Sequence, residues 1–370
     1  MRILHTSDWH LGIQLCGVSL LEEQRRMVEC LVRTVGEQKV DAVVIAGDVF
    51  DHAVARPEAI ALYTDAMTSL CRDCGVPVLL CAGNHDGAAR LAACGALLRE
   101  SGLYIAGSLS AGLEPVVLGD AAFFLLPWFS ADQVRYLYPD ARARTLSEAM
   151  AAVCERMQSR FPAGGKNVLV AHCFVGGAQV SESDRAAVVG GASQVAADAF
   201  AGFDYVALGH LHRAQNPGPN LRYSGSPLKY SFAEAGHKKS FTLLDTETME
   251  VSELPVKAGR DLRVLSGPFE ELMEGWDASG DYLKIELTDV SAGMEKLELL
   301  RERYPNLLLL TGKPLPALGR ADSLTVEELT TLSPRDLVTR FCLEVAGEEP
   351  DEEQLGWFDE AAREDGEVAQ

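Results

Sequence analysis

Seven residues in this chain carry atoms suited to holding divalent metal ions, and each sits at or just past the end of a short apolar run. They are Asp8 and His10 in S-D-W-H, Asp48 in A-G-D-V-F, Asn84 in A-G-N-H-D, His172 in A-H-C, and His210 and His212 in G-H-L-H. Any one of these clusters arises by chance in many proteins. Together they are harder to dismiss: of eight histidines, six (His10, His52, His85, His172, His210 and His212) stand at or just past the end of such a run. Neutral imidazoles have little reason to gather unless something takes up their lone pairs. Seven nitrogen and oxygen donors are too many for one tetrahedral zinc, but they suit two ions with open positions for water and substrate. No thiolate is needed. The mixture of imidazole, carboxylate and amide favours Mn²⁺, Fe²⁺ or Zn²⁺ over Mg²⁺. In G-H-L-H the i, i+2 spacing puts both imidazoles on one face of an extended segment. Spacing alone does not say what they meet there.

The apolar runs themselves predict the elements that position these groups. Arg2–Thr6, Ala42–Ala46, Val76–Cys81, Asn167–Ala171 and Tyr205–Leu208 are short and continuously apolar, as expected of strands buried on both faces. Residues 20–35 space their apolar positions helically, and Pro57 stands where proline opens a helix. Alternating strands and helices predict an α/β layered domain, central β-sheets flanked by helices, over residues 1–258. Functional groups in such sheets gather outside the carboxyl ends of the strands, which is where the polar clusters fall. Residues 259–320 read as a small α+β unit without a histidine, and residues 321–370 as a helical segment with an acidic tail. In that last segment T-V-E-E-L and S-P-R-D-L-V-T-R-F-C-L are each opened by a Thr or Ser cap.

Charge and cysteine content narrow the function classes. The formal net charge is −21, which argues against a basic surface that grips nucleic acid without regard to sequence. It does not argue against a nucleic-acid enzyme, because bound divalent ions supply local positive charge. Nine cysteines, several inside apolar runs, and a lone C-x-x-C at Cys71 and Cys74 fit a reducing cytoplasm better than a disulfide framework or a zinc site. No apolar stretch is long enough to span a bilayer, and the N-terminus lacks a signal pattern. The expectation is a cytoplasmic protein with no membrane association. Lys229, Lys238 and Lys239 offer charge to a nucleic-acid backbone or to solvent alone.

D-W-H, G-D-V-F-D, G-N-H-D, A-H and G-H-L-H, in this order and spacing, resemble the five motifs of the calcineurin-like metallophosphoesterases. H-T-S-D-W-H-L-G at the start, F-V-G-G-A-Q-V-S-E-S-D-R from Phe174 and R-Y-S-G-S-P-L-K-Y-S-F from Arg222 are similar to the SbcD family, the nuclease subunit of the bacterial SbcCD DNA-repair complex. The resemblance covers most of the chain. One departure is Gly87, where the family pattern has serine.

The resemblance implies a metallophosphoesterase core binding two divalent metal ions, Mn²⁺ foremost. One ion would be held by Asp8, His10 and His212, and the other by Asn84, His172 and His210, with Asp48 bridging them. His210 and His212 would then serve different ions. His85 would contact the phosphate and protonate the leaving oxygen, a role typically worth about 10²–10⁴-fold in rate. His52 would assist it, with Asp51 as orienter. The implied function is a DNA nuclease of repair and recombination, a double-strand exonuclease and hairpin or single-strand endonuclease. Its implied partners are DNA, an SbcC-like ATPase subunit and a second copy of the chain. Residues 259–320 would cap the DNA. The helix around Ser333–Val345 would dock on the ATPase through Leu337, Phe341 and Leu343. Two other functions compete: a phosphodiesterase for small molecules, and a non-catalytic scaffold. The C-terminal 110 or so residues argue against the first, and the complete donor set against the second.

Overall fold

A computed structural model describes residues 1–180, 194–257, 259–313, 333–346, 349–352 and 354–359. In chain order the first strands are β1 (Arg2–Thr6), β2 (Ala42–Ala46), β3 (Val78–Cys81), β4 (Leu103–Ala106), β5 (Val116–Leu118) and β6 (Ala121–Leu126). They are followed by β7 (Lys166–His172), β8 (Tyr205–Gly209), β9 (Gln215–Gly218), β10 (Leu221–Tyr223), β11 (Ser240–Asp245) and β12 (Val251–Pro255). These form two six-stranded sheets, ordered β12-β11-β1-β2-β3-β4 and β9-β10-β8-β7-β6-β5. The five runs expected to be strands form β1, β2, β3, β7 and β8. Within each sheet they run parallel, so the loops after them leave from one end. Strand β3 starts two residues later than expected, at Val78, because Pro77 has no N–H to give to a ladder.

Side-chain alternation along the strands divides the core into layers. Ile3, Val44, Leu79, Phe123, Val168 and Ala207 meet between the two sheets. The opposite face of the first sheet, with Leu4, Val43 and Ile45, packs on Met27, Leu31 and Leu62 of helices α1 (Leu21–Gln38) and α2 (Pro57–Thr68). Phe124, Leu169 and Val206 of the second sheet pack on Met150, Val153 and Met157 of α3 (Leu146–Gln158). That helix begins with a reciprocal cap. The Glu148 N–H donates to Thr145 Oγ1 (3.1 Å), and the Thr145 N–H donates to Glu148 Oε2 (3.2 Å). The order helix, sheet, sheet, helix agrees with the expected layered α/β class.

The chain divides into two compact units. One takes Met1–Leu265, Asp277–Lys284 and Tyr304–Leu309; the other takes Ser266–Trp276, Ile285–Arg303 and Leu310–Gln370. A three-stranded sheet orders β13 (Leu262–Gly267), β14 (Tyr282–Leu287) and β15 (Leu307–Thr311). The second unit includes helices α4 (Phe269–Glu274), α5 (Met294–Arg303) and α6 (Pro334–Ala346). Ser333 caps α6: the Asp336 N–H donates to Ser333 Oγ at 3.2 Å, and the Ser333 N–H donates to Asp336 Oδ2 at 3.2 Å. The T-V-E-E-L segment, and Ser181–Arg185 of the motif that begins at Phe174, lie outside the described residues.

One buried polar bridge ties the two sheets together. His5 on β1 is fully buried. Its Nε2 lies 3.2 Å from the Leu208 carbonyl and its Nδ1 3.0 Å from Tyr205 Oη, both on β8. A carbonyl only accepts, so Nε2–H donates to Leu208 and Nδ1 accepts from the tyrosine. Burial, and secondarily the charge of Arg222, lower the His5 pKa to about 3. The unfolded chain therefore takes up a proton at this position below about pH 6.5 that the fold refuses. We expect stability to fall as pH drops from about 6.5 toward 3, with a contribution from His5 of at most about 1.4 kcal/mol per pH unit. His5→Gln should flatten that slope in urea titrations run across this range, even if it lowers stability at pH 8.

Candidate metal centre

The loops after β1 and β2 are laced together before any side chain is considered. The Asp8 N–H donates to Gly47 O (3.0 Å), the His10 N–H to Asp48 O (3.0 Å) and the Leu11 N–H to Val49 O (2.8 Å). Gln24, reaching from α1, donates from Nε2 to the Trp9 and His10 carbonyls (3.0 and 2.8 Å) and accepts the Gly12 N–H (2.9 Å). Trp9 and Leu11 are buried, as loop-packing residues should be. On the other side, the buried Asp86 carboxylate accepts the N–H groups of Val49, Phe50 and Gly83 (3.2, 3.0 and 2.8 Å), stapling the G-D-V-F loop to G-N-H-D. This lacing holds strained backbone. Asp8 (φ 54°), His10 (φ 43°), Asp48 (φ 50°) and His210 (φ 105°) all lie in the left-handed region, which costs on the order of 1–3 kcal/mol for a residue with a side chain.

Two glycines permit the close approach. A Cβ on Gly83 would collide with the Asp48 carboxylate, and one on Gly209 would collide with the Ala46 carbonyl. Gly209 is therefore what lets the second sheet's last loop come up against β2 of the first. Gly87, the departure from the family pattern, has a similar local reason: a Cβ there would stand 2.5 Å from the Ala53 carbonyl oxygen.

The seven donors meet in two neighbouring groups with Asp48 between them, and Asp8 lies within 4.8 Å of ligand atoms on both sides. In one, Asn84 Oδ1 lies 2.9 Å from His172 Nε2 and 3.1 Å from His210 Nδ1, and Asp48 Oδ2 lies 3.3 Å from His172 Nε2. In the other, His10 Nε2 lies 3.3 Å from His212 Nε2 and 3.7 Å from the same Asp48 oxygen, with Asp8, His10 and His212 offering ligand atoms within 4.8 Å of one another. Two donors bound about 2.1 Å from one ion and roughly at right angles stand about 3 Å apart, which is the spacing of the closest pairs here. His210 and His212 thus point into different groups.

The chemistry of the set fits cations. His172 donates Nδ1–H to the Ala46 carbonyl at 2.9 Å, so the Nε2 of the neutral ring is an acceptor. It faces an amide oxygen and a carboxylate oxygen, which are also acceptors. His212 donates Nδ1–H to Glu234 Oε1 at 3.2 Å, so its Nε2 likewise points a lone pair at His10. His10 Nδ1 faces the Asp51 carboxylate at 3.6 Å, which favours its Nδ1–H tautomer and leaves its Nε2 an acceptor as well. Acceptors without donors repel one another unless a proton or a metal ion sits among them.

Charge in the site follows from burial and from these neighbours. Burial opposes ionisation of Asp48, but the facing His172, then His10 and His85, more than reverse it and hold the carboxyl well below the usual range. Burial raises Asp8, against the pull of His172 and His212. Asp8 also accepts the His210 N–H (2.9 and 3.2 Å) and the Ser7 hydroxyl (2.6 Å). Burial works against a charged His172, yet Asp48 and Asp8 together lift it to about 9. Burial and the neighbouring His172 lower His210 to about 3.

His85 and His52 lie farther out. His85 is exposed, donates Nδ1–H to the Asp51 carbonyl (2.9 Å) and holds its ring centroid 4.8 Å from that of His10. His52 is 77% exposed and rests its Nε2 3.2 Å from Asp51 Oδ2. Asp51 Oδ1 is also 3.6 Å from His10 Nδ1. The three lysines do not form one basic face: Lys229 pairs with Asp261 (2.8 Å) and Lys239 is buried against Glu234 (2.6 Å), while Lys238 is exposed. Sequence reasoning gave no role to Asp86, Gln24 or Glu234. Asp86 stands in the quoted G-N-H-D motif without a role of its own, while Gln24 and Glu234 carry no local mark, since the carbonyls and the imidazole they bind come from other loops.

Residues 1–214 match the calcineurin-like phosphoesterase family, and residues 258–346 match the type 5 capsule protein repressor C-terminal domain. The chain belongs to the calcineurin-like phosphoesterases, and its class is that of metal-dependent phosphoester hydrolases. Within that class it belongs to the SbcD family. It is 32% identical over 318 residues to the SbcD subunit of the SbcCD nuclease of Staphylococcus epidermidis, covering 84% of this chain and 85% of that relative. Among solved structures it is similar to TT1561 of Thermus thermophilus (12% identity, 69% of this chain and 99% of that one, TM-score 0.39). It is also similar to YfcE, a phosphoesterase from E. coli (15% identity, 70% and 100%, TM-score 0.28). Among the described residues no helix is long and apolar enough to cross a membrane.

A proton on His172 and a metal ion compete for the same lone pair. With the pKa near 9, metal uptake at pH 7 should release a proton from this ring. Affinity should weaken about tenfold per pH unit below 9 for each proton displaced. Calorimetric Mn²⁺ titrations in buffers of different ionisation enthalpy count the protons released.

Proposed function

We propose that this protein is a two-metal DNA nuclease, the SbcD-type subunit of a complex with an SbcC-like ATPase. The observation that carries the reading is the double convergence on Asp48 Oδ2, with imidazole nitrogens of His172 and His10 at 3.3 and 3.7 Å on its two sides. Asp8, His10 and His212 would hold one divalent ion, Asn84, His172 and His210 the other, and Asp48 both; Mn²⁺ suits these donors. Ions so held would supply a bound water of lowered pKa and positive charge against the phosphoryl group.

The chain's own residues supply the rest. With Nδ1–H committed to the Asp51 carbonyl, a protonated His85 has its Nε2–H to give to the leaving oxygen as the P–O bond breaks, and the ring returns to neutral. The Asp48 carboxylate, accepting the His85 N–H at 2.8 Å, fixes the loop that aims this imidazole. His52 acts through Asp51, whose second oxygen faces His10. The acidic surface of the chain makes DNA approach depend on the bound cations. The domain assignment that goes with this reading is 1–258 for the nuclease, 259–320 for the cap and 321–370 for docking. Two copies would pair in the complex.

Full-length protein loaded with Mn²⁺ should cut linear duplex and hairpin DNA and turn over a chromogenic phosphodiester slowly. Brisk hydrolysis of the small ester with inert DNA would overturn the nuclease assignment in favour of a small-molecule phosphodiesterase. His85→Asn should keep two bound ions by elemental analysis and lose about 10²–10⁴-fold in cleavage rate. Loss of the ions would make His85 a ligand instead. Phe341 and Leu343 on α6 are 63% and 48% exposed. Replacing both with Asp should leave metal content unchanged and abolish co-purification with the ATPase subunit. Retained co-purification would remove α6 from the interface.

A further inference from the structure

Among the imidazoles of the site, His212 is held in a way that His172 is not. The rings of His172 and His85 give their Nδ1–H to backbone carbonyls. His212 gives its own to a carboxylate, Glu234 Oε1, at 3.2 Å. Glu234 is fully buried on a short turn spanning Phe232–Glu234, and a buried carboxylate needs a cation beside it. Lys239 is that cation, with Nζ 2.6 Å from Glu234 Oε2. The same ammonium also donates to the His212 carbonyl (2.9 Å) and to Ser226 Oγ (2.7 Å). The contacts close a ring from the His212 imidazole through Glu234 and Lys239 back to the His212 backbone. Ring orientation, tautomer and main chain of one residue are thereby fixed together.

A carboxylate behind an imidazole does more than a carbonyl would. It raises the basicity of the opposite nitrogen and strengthens its bond to a metal. On the Asp8–His10 side, His212 has such an arrangement with a fully buried and paired carboxylate. On the Asn84 side, His172 leans on the Ala46 carbonyl.

We infer that Glu234, clamped by Lys239, is a positioning residue that holds His212 as its Nδ1–H tautomer and tightens the ion on the Asp8–His10–His212 side selectively. This rests on the two-ion reading above. Neither residue touches the reacting atoms. The two ions are consequently unequal, and the difference originates one contact behind the ligands.

The test uses full-length protein stripped with chelator and titrated with Mn²⁺, with free ion counted by electron paramagnetic resonance. Wild type should bind two ions. Glu234→Gln should weaken one of them by about 10–100-fold and leave the other within about twofold. Because Glu234→Gln leaves the Lys239 charge buried without its carboxylate and could fail to fold, Glu234→Gln/Lys239→Met removes both charges and should show the same one-sided loss. Long-range ¹⁵N–¹H spectra of the metal-free protein should show His212 protonated at Nδ1 in wild type and a tautomer mixture in the variants, which a merely structural role would not produce. Fewer than two ions on wild type would overturn the two-ion reading and this inference with it. Two ions on wild type with both weakened equally, or neither weakened, in the variants would overturn the role of Glu234 and leave the two-ion reading standing.

Discussion

A carboxylate oxygen facing imidazole nitrogens on two sides governs how this protein is put together. Asp48 Oδ2 sits between His172 from the second sheet and His10 from the first, in a place closed to bulk water. In such surroundings the electrostatic energy of bringing so many acceptors together is large and unfavourable until positive charge arrives among them. The fold accepts that cost and surrounds it with fixed hydrogen bonds. Left-handed backbone at Asp8, His10, Asp48 and His210 is tolerable only because neighbouring loops donate to and accept from one another in a ladder that leaves little room for relaxation.

The division of labour between elements follows from that requirement. Strands supply rigidity and a common exit point, loops supply donors, and residues farther back decide how each donor is presented. Asp86 gathers three N–H groups from two loops, Gln24 anchors the first loop to α1, and the Glu234–Lys239 pair holds His212. Of these, Lys239 stands out in the sequence as a surface charge and Asp86 as the end of G-N-H-D.

What can be read from sequence follows the same physics. Continuous apolar runs such as A-V-V-I-A and Y-V-A-L-G announce strands covered on both faces, and the polar side chains at their ends, which the structure brings together, were legible with them. The outer strands were not. Q-N-P-G of β9 and V-S-E-L-P of β12 carry little apolar pattern, since an edge strand owes its place to a neighbour's backbone and not to its own burial. Glu234 was invisible for a related reason: a buried glutamate looks like any surface glutamate until its cation and its imidazole are brought to it by folding. G-H-L-H was legible in composition but ambiguous in aim. The i, i+2 rule put two rings on one face, and the short separation proved wide enough to serve two destinations.

The meeting of the sheets at Gly209 and Ala46 carries a further consequence. His10, Asp48 and Asn84 follow strands of the first sheet, while His172 ends a strand of the second and His210 and His212 follow another. Ions lodged among them would therefore act as rivets across a seam otherwise held by apolar packing and by polar contacts such as those of His5, His172 with Ala46, and Arg222 with Glu253. A ligand at free concentration c that binds only the native state adds RT ln(1 + c/Kd) to its stability. The resistance of this protein to unfolding and to proteases would then rise and fall with the divalent metal supply around it, coupling its lifetime to the same resource that its chemistry requires.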